Sequence, residues 1–179
     1  MCTLATCKPQ IREAAEEGDL IFGCGSKAIG LEERVICALR VTGKSDFQGY
    51  WDNPRFLKKR PYVAGNQRRA YGDNIYHKDI AGDWIQEWSH HSLPDGSINL
   101  SNLERDTGAD SVLWSDDFVY WGRDAPLIPQ NLRDFDGDDL YPSGRSYRSR
   151  FSTAFIDEAR IWFDGINLRG CRGRPASWE

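Results

Sequence analysis

The sequence predicts an α+β fold: a small curled β-sheet or barrel flanked by short helices and ended by a C-terminal helix, in one domain over residues 1–179. Three observations carry this reading. Short apolar runs bounded by glycine and polar clusters recur ahead of residue 122, at lengths that suit strands. A helical periodicity occupies the tail from Ser152, with Phe151, Phe155, Ala159, Trp162 and Ile166 near one face. No repeat, low-complexity tract or Ser/Gly/Pro linker divides the chain.

Taken in order, Thr6–Glu17 reads as a short helix, capped by Thr6, with Pro9 in its first turn and Gly18 as its stop. Gly18-Asp19 turns into an apolar strand, Leu20–Cys24, and a polar loop from Gly25 to Arg34 leads to a second strand over Val35–Thr42. Asp46–Trp51 forms a helical turn that Asn53-Pro54 ends. A long loop reaches Arg69, followed by short strands at Asn74–His77 and Trp84–Trp88. Ser111–Trp114 and Phe118–Trp121 flank Ser115-Asp116-Asp117 and read as a strand pair.

Composition excludes several classes. With 40% hydrophobic residues, 12% aromatics and a net charge of −4, the chain is too apolar and too weakly charged to be disordered. No apolar run approaches the roughly 20 residues of a membrane helix, and the first residues lack a signal core. The five cysteines form no CxxC, so a zinc knuckle or disulfide framework has no support. A cytoplasmic protein with free thiols and no membrane segment is expected.

Charge is uneven. Arg55, Lys58, Lys59, Arg60, Arg68 and Arg69 stand together with no acidic residue among them. Nine Asp follow between Asp106 and Asp139, and seven Arg between Arg145 and Arg174. The basic stretches suit phosphate, with Arg55, Arg145 and Arg148 as phosphate-binding candidates, or else they pair with the acidic turn at Asp134–Asp139. That turn fails the calcium-loop pattern, since Asp139 stands where glycine is needed and Arg145 occupies the twelfth position. The seven tryptophans divide: Trp114, Trp121 and Trp162 suit the core, Trp51, Trp84 and Trp88 suit a ligand wall, and Trp178 is assigned to neither.

Two segments carry binding chemistry. Thr3–Lys8 precedes a helix N-terminus, where Thr6 and Lys8 suit a phosphate or base edge, although an ordinary capped helix reads the same way. In Gly72–His77, Asp73 and Asn74 offer donors and acceptors to a base and Tyr76 a stacking face; the bland alternative is a turn entering a strand. Catalytic motifs are absent. Cys7 or Cys24 has a conceivable partner in His91, but Gly25-Ser26 lacks the second glycine of a nucleophile elbow. Adjacent His90 and His91 point to opposite faces of a strand, so no metal, cofactor or committed catalytic residue is expected.

Gly18-Asp19, the strand ending Gly23-Cys24-Gly25-Ser26, the strand ending Val41-Thr42 and the aromatic segment Phe47–Phe56 together resemble the core of PUA-like domains, particularly the EVE branch. That resemblance implies that Gly25 and Ser26 lie where a strand end meets a ligand pocket. A closer likeness covers most of the chain. Cys2–Pro9, Gly18-Asp19, Tyr50-Trp51, Asn53–Phe56, Gly72–Tyr76, His91-Ser92, Val112-Leu113, Phe118–Gly122 and Gly144–Phe151 are similar to the nucleotide modification associated domain, type 2. Members of that family usually carry a further strand ahead of the Cys-Thr-Leu segment, here Cys2-Thr3-Leu4.

The resemblance implies a role in phage or bacterial nucleic-acid modification or defence. The expected activity is binding of a modified base or nucleotide, free or in nucleic acid. Thr6, Lys8, Gly25, Ser26, Trp51, Asp73, Asn74, Tyr76 and His91 are the expected ligand-binding residues. The alternative is an enzyme acting on a nucleobase or nucleotide, with Asp73 or His91 as acid or base. Expected partners are the nucleotide or nucleic acid, a second copy of the chain, or proteins of a modification system.

Overall fold

The computed structural model describes residues 1–141, 144 and 147–178. The elements run β1 (Cys2–Leu4), α1 (Pro9–Ala14), β2 (Leu20–Cys24), β3 (Val35–Arg40), β4 (Gly43–Ser45), α2 (Phe47–Asp52) and α3 (Gln67–Ala70). They continue with β5 (Tyr76–Lys78), β6 (Trp84–Gln86), α4 (Leu100–Thr107), β7 (Val112–Ser115), β8 (Asp117–Tyr120), α5 (Thr153–Gly165) and β9 (Gly170–Cys171). The architecture is α+β, as expected, but the described strands form three small open sheets and close no barrel. Among the described residues no helix is long and apolar enough to cross a membrane.

The chain divides into two compact units. The first comprises Met1–Cys2, Gly18–Val41 and Ser115–Glu179. Its sheet has the order β2-β3-β8-β9, antiparallel except for the β8–β9 pair, with Phe22 opposite Ala38 and Ala38 opposite Val119. Helix α5 begins where the Ser152 hydroxyl accepts the Phe155 N–H at 3.3 Å. Phe155, Ala159 and Phe163 recur every fourth residue on its buried face. They pack with Val35, Ala38, Val119, Trp121 and Leu132. Each buried phenylalanine contributes about 1.5–3 kcal/mol. Trp162 and Trp121 stack at 6.4 Å, with Trp121 buried in the core and Trp162 half-buried against it.

The second unit comprises Thr3–Glu17 and Thr42–Trp114. It carries the sheet of order β1-β7-β4 and the β5–β6 hairpin, around Phe47, Tyr50, Phe56, Ile75, Tyr76 and Leu113. Trp114 lies across Gly43 so closely that a Cβ at Gly43 would overlap the indole. Helix α2 is capped by Asp46, whose Oδ1 accepts the Gly49 N–H at 2.6 Å. It buries Phe47 and Tyr50 and ends before Pro54. The stretch read as a long loop contains a 3-10 turn over Pro54–Lys59 and helix α3.

Two local expectations need correction. Helix α1 covers Pro9–Ala14, not Thr6–Glu17, and Thr6 does not cap it. Cys7 and Lys8 both take left-handed backbone conformations, at φ 57° and 44°, so the helical path cannot extend upstream of Pro9. β7 and β8 do not pair with each other: β7 lies between β1 and β4, and β8 between β3 and β9. A tight hairpin turn needs positive φ, and none of Ser115, Asp116 and Asp117 has it.

Candidate functional site

The second unit contains a polar centre that grows from α4. Asn99 caps this helix, accepting the Asn102 N–H at 3.1 Å, and the last turn places Asp106 inside the unit at 0% exposure. A carboxylate there is doubly disfavoured, by desolvation and by the negative end of the helix dipole. Four donors offset this. The Cys7 N–H reaches Oδ1 at 2.9 Å, Arg105 Nε reaches Oδ1 at 3.0 Å, the Tyr76 hydroxyl reaches Oδ2 at 2.8 Å, and His91 Nδ1 lies 2.6 Å from Oδ2. Burial works against ionisation, but the bonds from His91, Arg105, the Cys7 N–H and Tyr76 outweigh it and hold the carboxyl far below the ordinary carboxylate range.

This charge state fixes the histidine tautomer. An ionised carboxylate only accepts hydrogen bonds, so Nδ1 of His91 carries a proton toward it, and in the neutral ring Nε2 is the nitrogen with the lone pair. Among the described residues Nε2 has no hydrogen-bond partner, while the His91 carbonyl is held by Asn102 Nδ2 at 2.7 Å and Gln86 Nε2 at 3.4 Å. The Tyr76 phenol is fully buried, and its pKa is raised, first by burial and then by donation to Asp106 against the opposing Gln86 bond.

A buried cation braces the same centre. Arg12, at the middle of α1, donates through Nε to the Cys7 carbonyl at 3.0 Å and through Nη1 to the Ala109 carbonyl at 3.0 Å. Its guanidinium also bonds the Ser111 and Asp106 carbonyls and lies over the Phe47 ring at 5.3 Å. Desolvation lowers its pKa, with Asp106 first among the groups that offset this. Arg12 and Asp106 together hold the left-handed Cys7–Lys8 corner, from the Cys7 carbonyl and N–H respectively.

The Gly72–Tyr76 segment enters from the other side of the sequence. A Cβ on Gly72 would overlap the Lys59 carbonyl oxygen, so only glycine permits this approach. Asp73 accepts from Thr3 Oγ1 at 2.6 Å and from the Tyr50 hydroxyl at 2.9 Å. Asn74 is fully buried, donates through Nδ2 to the Tyr50 carbonyl at 3.1 Å, and has no partner for Oδ1. His90 is exposed, stacks on Tyr71 at 4.9 Å and meets the His91 ring edge-on at 4.4 Å. Burial and His91 lower the His90 pKa, whereas Asp73 and Asp106 raise it, so these four groups share one electrostatic environment.

The expected ligand residues therefore divide. Tyr76 and His91 meet at Asp106, with Asp73 in the same electrostatic environment and Asn74 beside it in sequence. Lys8 is exposed at the left-handed corner, and Thr6 is half-buried next to it. Gly25 and Ser26 belong to the first unit: the Gly25 N–H donates to the Arg34 carbonyl, and Ser26 is exposed. Trp51 presents no open wall, because His77 stacks on it at 3.9 Å and the Arg60 guanidinium lies 3.6 Å from its ring centre. Trp84 meets Phe47 edge-on, while Trp88 is 53% exposed.

Of the phosphate candidates, Arg55 is exposed over Phe56, and Arg148 pairs with Asp138 of the acidic turn and covers Phe151. Arg145 lies outside the described residues. No group of three or more His, Cys, Asp and Glu among the described residues is placed to hold a metal ion.

Sequence reasoning passed over Asp106 and Arg12. Asp106 sits in Leu100–Thr107, a segment too polar to advertise a buried face. The available signals were the adjacent histidines and an arginine standing between Ile11 and Ala14 on a helix that has to pack.

The family model described as nucleotide modification associated domain 2 matches residues 1–179. Comparison with curated proteins gives no match, and comparison with solved structures gives none either.

Proposed function

The chain belongs to the nucleotide modification associated domain 2 family, and from that premise we propose that it acts on a nucleobase or nucleotide by acid–base chemistry at His91. The observation that carries this reading is the Asp106–His91 pair: an ionised, fully buried carboxylate 2.6 Å from Nδ1 that leaves Nε2 as a proton acceptor. Asp106 acts as the positioning residue, fixing the ring's tautomer and favouring the imidazolium that forms when Nε2 takes a proton. Asp73, fixed by Thr3 and Tyr50, supplies acceptor oxygens for the edge of a base. Arg105, part-exposed, supplies a cation bonded to Asp106.

Recognition of a modified base without chemistry, on a PUA-like pocket, is the weaker reading. It draws its stacking wall from Trp51, Trp84 and Trp88, of which Trp51 is covered by Arg60 and His77, Trp84 meets Phe47 edge-on and Trp88 is exposed.

The test is a thermal-shift screen of intact protein against unmodified and base-modified nucleotides and short oligonucleotides. Each compound that shifts melting is then incubated with the protein and analysed for product by mass spectrometry. His91→Gln should retain the thermal shift and lose product formation by about 100-fold or more. Equal product from wild type and His91→Gln, or no compound that shifts melting, overturns the proposal.

A further inference from the structure

Six cations with no intervening acid would repel one another in a loop, and the structure holds them there by tying the loop into a fixed shape. The 3-10 turn over Pro54–Lys59 is capped by Asn53, whose Oδ1 accepts the Arg55 N–H at 3.0 Å. The Tyr62 N–H donates to the Arg69 carbonyl at 2.9 Å, which brings the far end of the loop back to α3. Arg69 then lies over the Tyr62 ring at 4.9 Å. Arg55, Lys58, Arg68 and Arg69 are exposed, and Tyr62 is exposed among them. Lys58, Arg68 and Arg69 form no ion pair with any described carboxylate, so their charge faces outward uncompensated.

This strip is continuous with the site of the proposed chemistry. The Asn74 N–H donates to the Lys59 carbonyl at 3.0 Å, and the Gly72 N–H to the Arg69 carbonyl at 3.3 Å. Tyr71, half-exposed, follows α3 directly and stacks on His90, whose ring meets His91 edge-on. The basic loop, Tyr71, His90 and His91 are thus successive, touching parts of one unit.

We propose that the Arg55–Tyr71 segment is a track for a single-stranded polynucleotide, so that the substrate is a base within a strand and not a free nucleotide. The inference rests on the acid–base reading for the identity of the reacting group, and the strand class comes from the strip itself. A free nucleotide gathers its phosphate charge at one end, whereas several outward cations spread along a loop match phosphates repeated along a backbone. Tyr62, 51% exposed among these cations, adds an aromatic ring to the same path, the pairing of cations and rings that suits unpaired bases. A paired base would have to leave its duplex to reach His91, which a single strand does not require.

Fluorescence anisotropy of a labelled 12-nucleotide single strand tests this, using the intact protein across a series of salt concentrations. Wild type should bind the strand at least tenfold more tightly than a mononucleotide of the same base, and more tightly than a duplex of equal length. Lys58→Gln with Arg68→Gln should weaken strand binding about tenfold or more. The same pair should reduce the slope of log affinity against log salt by about 1.4, two contacts at about 0.7 each. Both positions are exposed, so an unchanged melting temperature certifies the folded variant. Wild type that binds the strand but yields no product from it would sink the chemistry and leave the track standing, which separates the two failures. Mononucleotide or duplex binding as tight as strand binding, or an unchanged salt slope in the double variant, overturns the inference.

Discussion

Replacing Asp106 with asparagine removes one charge and turns one acceptor oxygen into a donor, with almost no change in shape. On the Oδ1 side, the Cys7 N–H and Arg105 keep an acceptor, although the arginine loses its charged partner. On the Oδ2 side, two donors, the Tyr76 hydroxyl and His91 Nδ1, now face an amide nitrogen. Tyrosine can rotate its hydroxyl and histidine can change tautomer. Each then exchanges a charge-assisted bond of about 1.5–3 kcal/mol for a neutral one near 1 kcal/mol. The expected cost is about 1–4 kcal/mol, or a melting temperature lower by about 2–16 °C for a chain of this length.

Urea unfolding followed by tryptophan fluorescence measures this change. The pH dependence gives a second handle. Asp106 has a folded-state pKa below its unfolded one, so its contribution is complete above the ordinary carboxylate pKa of about 3.9 and is lost as pH falls further toward the folded value. Asp106→Asn should therefore lose less stability than wild type between about pH 4 and pH 2. The tautomer change also converts Nε2 from acceptor to donor, so any His91-dependent turnover should drop by about 100-fold or more. A variant within about 0.5 kcal/mol of wild type at pH 7, with the same acid sensitivity, would refute the reasoning.

Two further outcomes follow from the same geometry. Arg12→Met strands the carbonyls of Cys7, Asp106, Ala109 and Ser111, and should cost about 3–5 kcal/mol by urea unfolding; a loss below about 1 kcal/mol counts against the brace. In native protein at pH 8, a thiol reagent should label exposed Cys7 and Cys171 first. Cys24 and Cys37, pushed by burial to about 11 and about 12, should react only after unfolding, and rapid native labelling of Cys37 would contradict its placement.

The parts of the fold that were legible in the sequence are those set by local chemistry. Leu20–Cys24 and the strand beginning at Val35 are bounded by glycines and polar turns, and α5 repeats its apolar residues every fourth position. Partners far apart in sequence were not legible. Ser115-Asp116-Asp117 resembles a hairpin turn, yet nothing local says that Trp114 fits over Gly43 while Phe118 joins β3. Trp51 looked like a ligand wall because its cover, Arg60 and His77, arrives from separate segments. At the site, Tyr76 and His91 were recognisable as chemistry-bearing residues. Asp106, which unites them, was hidden, since a buried aspartate in a polar helix has the same sequence signature as a solvated one.

The Cys7–Asp106 bond also constrains the order in which this chain can assemble. It joins residues 99 positions apart, and Arg12 reaches the carbonyls of Ala109 and Ser111 across similar separations. The second unit is moreover interrupted, its opening segment Thr3–Glu17 being parted from Thr42–Trp114 by residues of the first. As the chain leaves the ribosome, its first helix carries an arginine whose partners have not yet been made. The unit cannot close until about a hundred residues later, so its completion is a late, non-local event of the slow kind.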